Sequence, residues 1–94
     1  MYYMLILMFK GQSVLISGAG PIGIAMLVCL QACKAGTIFV SEPAEFRAET
    51  ARKFGADHVF NPKQTNVVEE IMKATGGRGV DVSFECSGVQ AGVC

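Results

Sequence analysis

The sequence predicts an α/β fold: a four-stranded parallel sheet, β-α-β-α-β-α-β, with helices on both faces. Three observations predict it. Short β-rich runs alternate with helical stretches over short connections, which favours a parallel sheet with right-handed crossovers. The second β-rich run, residues 37–41, is nearly all apolar, as in a sheet covered on both sides. The hexapeptide Gly18-Ala19-Gly20-Pro21-Ile22-Gly23 follows the first run and opens the first helical stretch.

The elements follow in order. Residues 13–17 (Ser-Val-Leu-Ile-Ser) are the first strand, stopped by glycine. Residues 21–35 are the first helix, with Pro21 at the first position, where its missing N–H costs nothing. Ile22, Ala25, Met26, Cys29 and Cys33 repeat at helical spacing on one face. Leu27, Val28 and Leu30 make the other sides apolar too, so this helix is buried or lies against a further element. Gly36 is its expected C-terminal cap. After the second strand, a helix over residues 43–54 presents Ala44, Ala48 and Ala51 on one face. Glu49 and Lys53 form an i,i+4 pair on it, and Gly55 closes it. Residues 58–60 are a third strand, ended by Asn61-Pro62. Asn66 caps a third helix, with Glu69 three residues on. Val68, Ile71, Met72 and Thr75 share a face, and Gly76-Gly77 ends the helix. Residues 80–86 are the fourth strand, turned by Ser87-Gly88.

Composition narrows the function classes. Ninety-four residues make one domain at most. Eight Lys and Arg balance eight Asp and Glu, which argues against a nucleic-acid or anionic-membrane binder working through bulk charge. Apolar residues at 51% with no net charge exclude the compositional class of disordered chains. The four cysteines, Cys29, Cys33, Cys86 and Cys94, accompany neither a signal peptide nor a loop-rich scaffold. Cys29 and Cys33 fall in the apolar helix, where a free thiol behaves as a small buried hydrophobe. A reduced, cytoplasmic setting follows. The apolar run 1–9 is short of the roughly 20 residues that span a bilayer. Residues 14–33 have that length, but Ser17, Gly18, Gly20, Pro21 and Gly23 break them early.

The glycine hexapeptide carries the chemistry. It is G-x-G-x-x-G between a strand and a helix, the context in which this motif binds a dinucleotide. Gly18 permits the tight turn, Gly20 lets a pyrophosphate approach the backbone, and Gly23 lets helix and strand pack closely. Pro21 and Ile22 complete the loop, whose free N–H groups and helix dipole face the phosphates. Glu42 ends the second strand 19 residues after Gly23, where the motif expects an acid. A carboxylate there accepts from both hydroxyls of the adenosine ribose and repels a 2′-phosphate, favouring NAD over NADP. Arg47, further along, flanks the adenosine end and pulls toward NADP; the acid decides. Cys86 and Ser87 end the fourth strand, where open α/β sheets bind ligands, and are candidates for lining the adenosine pocket. His58, the one histidine, has no partner at metal or catalytic spacing. No zinc-ligand set and no nucleophile–histidine set is present.

With these residues in place, the chain resembles the medium-chain dehydrogenase/reductase family of zinc-type alcohol dehydrogenases, nearest the polyol, threonine and 2,3-butanediol dehydrogenase branch. The matching stretches are residues 11–23, Glu42, residues 54–62 (Phe-Gly-Ala-Asp-His-Val-Phe-Asn-Pro) and residues 75–88, with Gly79-Val80-Asp81-Val82 inside the last. The resemblance implies a partial Rossmann fold in which Ile22, Glu42 and Arg47 contact NAD. Most relatives have Asp where this chain has Glu42. It also implies that zinc and the proton relay belong to a catalytic domain ahead of this region, and that two further strands follow it. Residues 1–10 match nothing in the family and are an unassigned apolar segment. Residues 11–94 read as a truncated dinucleotide-binding domain, a fragment inactive alone, whose alcohol or polyol substrate belongs to a full-length relative. Two other classes stay open. One is a non-catalytic nucleotide-binding or interaction module that associates with a full-length dehydrogenase. The other is a membrane peptide.

Overall fold

Alternation of side chains along a strand sorts β1 into two faces, and each face finds its own helices. The computed structural model describes residues 10–86. They form β1 (Val14–Ser17), α1 (Pro21–Ala32), β2 (Ile38–Ser41), α2 (Glu45–Lys53), β3 (His58–Phe60), α3 (Val67–Ala74) and β4 (Val82–Glu85). The sheet order is β3-β2-β1-β4, and every pairing is parallel. The sheet therefore grows one way through β3 and then crosses to the other side of β1. Right-handed crossovers put α1 and α2 on one face and α3 on the other. Burial agrees. Val14 and Ile16 are fully buried in a cluster with Leu27 and Leu30 of α1 and Ala51 of α2. Leu15 and Ser17 turn to the opposite face, toward the segment that leads into α3. Phe39, fully buried on that face, stacks on His58 at 5.0 Å and Phe60 at 6.2 Å between ring centroids. Among the described residues no helix is long and apolar enough to cross a membrane.

Two aspartates set the register at the amino ends of the strands. Asp57 precedes β3, and its Oδ2 accepts the Ile38 N–H of β2 at 2.8 Å while its own N–H donates to the Ile38 carbonyl at 3.1 Å. Asp81 precedes β4 and does the same with Ser13, at 2.8 Å in both directions. Each closes a ring around a strand's first amide, which a parallel ladder alone leaves unsatisfied.

All three helices end in the same motif, with paired bonds from the residues just past the cap to the last turn. In α2 and α3 the left-handed position is Gly55 (φ 94°) and Gly76 (φ 67°), as their places in the sequence predict. In α1 that position is Lys34 (φ 59°), two residues before the expected Gly36. Lys34 and Ala35 donate to the carbonyls of Gln31 and Leu30, both at 3.0 Å. Gly36 answers a different need: a Cβ there would sit 2.8 Å from the Gly11 carbonyl oxygen.

The inward face of α1 also differs from its expectation. Gly23, Leu27 and Leu30 are the buried residues, whereas Ile22, Ala25 and Cys29 are exposed and Met26 is half-buried. An all-round apolar helix carries no periodic signal to mark its inner side. Cys33 is buried as expected, and Cys29 is not. On α2, Ala48 and Ala51 are buried, but Glu49 pairs with Arg52 at 3.1 Å rather than with Lys53. On α3 only Ile71 is buried; Val68 and Met72 are exposed.

Candidate functional site

The carboxyl ends of β1 and β2 bring the glycine turn and Glu42 together. Gly18 leaves β1 with φ 107°, a conformation that a side chain disfavours, and its N–H donates to the Ser41 carbonyl of β2 at 2.8 Å. The chain then reverses into α1. Gly23 faces the strand so closely that a methyl group there would overlap the Gly18 carbonyl group. The required contact between helix and strand is thus made through a residue with no side chain.

The amino end of α1 has no internal anion. Its cap, Gly20, offers no side-chain acceptor, and the first turn holds no acid. Pro21 has no N–H, and Ile22 and Gly23 lie too early to bond within the helix. Pro21 is exposed, and Ile22 is 48% exposed. The positive end of the helix dipole, with these two N–H groups unbonded within the helix, lies at the carboxyl edge of the sheet, an arrangement that can accept an anionic ligand.

Glu42 follows β2 and is 4% exposed, the one buried charged side chain among the described residues. Its Oε1 accepts the Ala19 N–H from the glycine turn at 2.7 Å, and its Oε2 accepts the Ala44 N–H at the start of α2 at 2.9 Å. A carboxylate offers about four acceptor positions, so roughly two stay open for further donors. Arg47 lies on the first turn of α2, half-buried, with its guanidinium 5.5 Å from the ring centre of Phe46. Phe46, a residue without a motif to mark it in the sequence, is 71% exposed.

Cys86 stands just past β4, its N–H donating to the Ser17 carbonyl at 2.8 Å. Its side chain is buried in the core cluster on the α1 face, and burial, aided by the Glu85 charge, pushes its thiol pKa up. Ser87 lies outside the described residues, as does the apolar run 1–9. Among the described residues no group of three His, Cys, Asp or Glu side chains could hold a metal.

A separate cleft of about 610 Å³ opens beneath the same edge, lined by Leu15, Ser17, Ser41 and residues 62–68. None of the predicted site residues lines it. The helix that opens onto it, α3, satisfies its own amino end: Asn66 Oδ1 accepts the Glu69 N–H at 3.2 Å, and Glu69 and Glu70 occupy the first turn. Its electrostatics do not favour an anion.

The zinc-binding dehydrogenase family matches residues 21–93. The chain belongs to that family. L-threonine 3-dehydrogenase of Pyrococcus horikoshii is 51% identical over 79 residues, which cover 84% of this chain and 23% of that protein. (R,R)-butanediol dehydrogenase of Neisseria gonorrhoeae is 42% identical over 80 residues, covering 84% and 22%. The crystal structure of benzyl alcohol dehydrogenase from Acinetobacter calcoaceticus superposes with a TM-score of 0.80 at 34% identity, over 85% of this chain and 22% of that one. The chain thus corresponds to the nucleotide-binding region of zinc-type alcohol dehydrogenases and spans less than a quarter of the length of these relatives. The family assignment brings the Rossmann-like sheet with it, and the matched stretch begins midway through the glycine turn, at Pro21.

Proposed function

We propose that this chain binds NAD(H) for a zinc-type dehydrogenase acting on an alcohol or polyol. One observation carries the reading: a buried carboxylate sits 2.7 Å from the turn that opens a helix with no anion of its own. The residues fit a dinucleotide. The Gly18–Gly23 turn, with Pro21 and Ile22, holds the pyrophosphate. Glu42 takes the ribose hydroxyls with its open acceptor positions. Arg47 flanks the adenosine. Cys86 brings its backbone to the same edge through its bond to Ser17, while its side chain stays in the core. The negative charge of Glu42 favours NAD over NADP, whose 2′-phosphate it repels. The bound nicotinamide supplies the hydride chemistry, and these residues bind and orient it. Zinc and the groups that move protons belong to a catalytic domain of the family, so residues 11–94 alone turn over no alcohol. The free thiols Cys29, Cys33 and Cys86 favour a cytoplasmic setting.

Calorimetry with the 94-residue chain tests this reading. The expected result is saturable NAD binding, weaker NADP binding, and a loss of about tenfold in NAD affinity in Glu42→Ala. Equal affinity for NAD and NADP, unaffected by Glu42→Ala, contradicts it. Association with a full-length dehydrogenase without NAD binding contradicts it as well.

A further inference from the structure

Ribose recognition explains why a carboxylate ends β2. It does not explain why that carboxylate is bonded to Ala19. Burying a carboxylate is costly unless its oxygens find donors, and Glu42 finds two, both backbone amides from separate elements. Ala19 lies between Gly18 and Gly20, in a turn with little side chain to hold its shape. The end of β2 therefore grips this turn at two consecutive amides: Gly18 through the Ser41 carbonyl and Ala19 through Glu42. The other oxygen ties the same carboxylate to the start of α2.

We infer that Glu42 is a positioning residue for the phosphate end of the site as well as a reader of the ribose. Through Ala19 it fixes the glycine turn, so that the Ile22 and Gly23 N–H groups are set before an adenosine diphosphate group arrives. Bonds to an ionised acceptor are roughly twice as strong as neutral ones, so the grip weakens when the charge is removed. Gln at this position offers one oxygen for two N–H donors and turns an NH₂ toward the other. Asp keeps the charge but is one methylene shorter, and the two amides come from different elements. This role rests on the nucleotide reading above, and a ligand without a ribose diol separates the two.

The experiment titrates ADP and 2′,3′-dideoxy-ADP into the wild-type chain, Glu42→Gln and Glu42→Asp, and measures amide hydrogen exchange at Ala19. The slowest-exchanging amides of the sheet report that each variant is folded. Dideoxy-ADP has no diol, so a carboxylate that only reads ribose gives it nothing. The expected result is that both variants lose affinity for dideoxy-ADP as well as ADP, by about tenfold in Glu42→Gln, with Ala19 exchanging about tenfold faster. Variants that lose ADP affinity but bind dideoxy-ADP as the wild type does overturn the positioning role, as does unchanged exchange at Ala19. A wild-type chain that binds neither nucleotide overturns the nucleotide reading itself. The Ala19 exchange then still decides the grip on the turn, faster exchange supporting it and unchanged exchange refuting it.

Discussion

Two helices, α1 and α3, begin at the same edge of the sheet with opposite electrostatics. α3 brings its own acceptors: the Asn66 side chain caps it, and two glutamates fill its first turn. α1 begins at a glycine with no capping side chain and no acid. The backbone at Gly20 does not itself require glycine, since its extended angles (φ −75°, ψ −167°) are those of an ordinary serine or aspartate cap. The difference separates a helix end that is finished within the fold from one left without a cap or acid of its own. It also means that the cleft beside α3 opens onto a helix end that already has its own acceptors.

The largest effect that sharpens this contrast comes from Gly23→Ala. The added methyl meets the Gly18 carbonyl group, which is backbone and has little room to move. A loss of about 3 kcal/mol, the upper range for overpacking, is expected in urea unfolding. A loss under about 1 kcal/mol would show that helix and strand separate easily there. Next is Gly20→Asp, which gives α1 the internal anion that α3 has. Stability rises by about 0.5 kcal/mol while NAD affinity falls by about tenfold or more, read by unfolding and calorimetry. Unchanged affinity would break the contrast outright. Asn66→Ala removes the cap of α3 and costs about 1 kcal/mol, with NAD binding untouched. The smallest effect lies at the other helix ends. Lys34→Gly relieves the left-handed strain of α1, which α2 and α3 avoid with glycine, and stabilises by about 0.5 kcal/mol. A thermal melt that moves down instead of up would contradict the assignment of Lys34 as the cap.

Much of this was legible because it is local. The order of strands and helices, the glycine turn, the acid at the end of β2 and the Asn66 cap all follow from short-range chemistry. The inner face of α1 was not legible: Ile22, Ala25, Val28 and Cys29 are as apolar as Leu27 and Leu30, so only the tertiary packing decides. Gly36 was misread because a glycine after a helix suggests a cap, whereas this one accommodates the Gly11 backbone from a distant part of the chain. Asp57 stands directly before a β-rich run, whereas Asp81 falls inside the run 80–86, of which only Val82–Glu85 form the strand. Their role needs the neighbouring strand, which no single run reveals. The double bonding of Glu42 was hidden for the same reason, since Ala19 lies 23 residues away.

The most direct measurement is an NAD titration followed at the backbone amides by nuclear magnetic resonance. If the bare end of α1 is the phosphate site, the Ile22 and Gly23 amides shift with NAD, and Ala19 responds with them. The Glu69 and Glu70 amides of α3 stay in place. Shifts centred on α3, or saturable binding that leaves Ile22 and Gly23 unmoved, would contradict it.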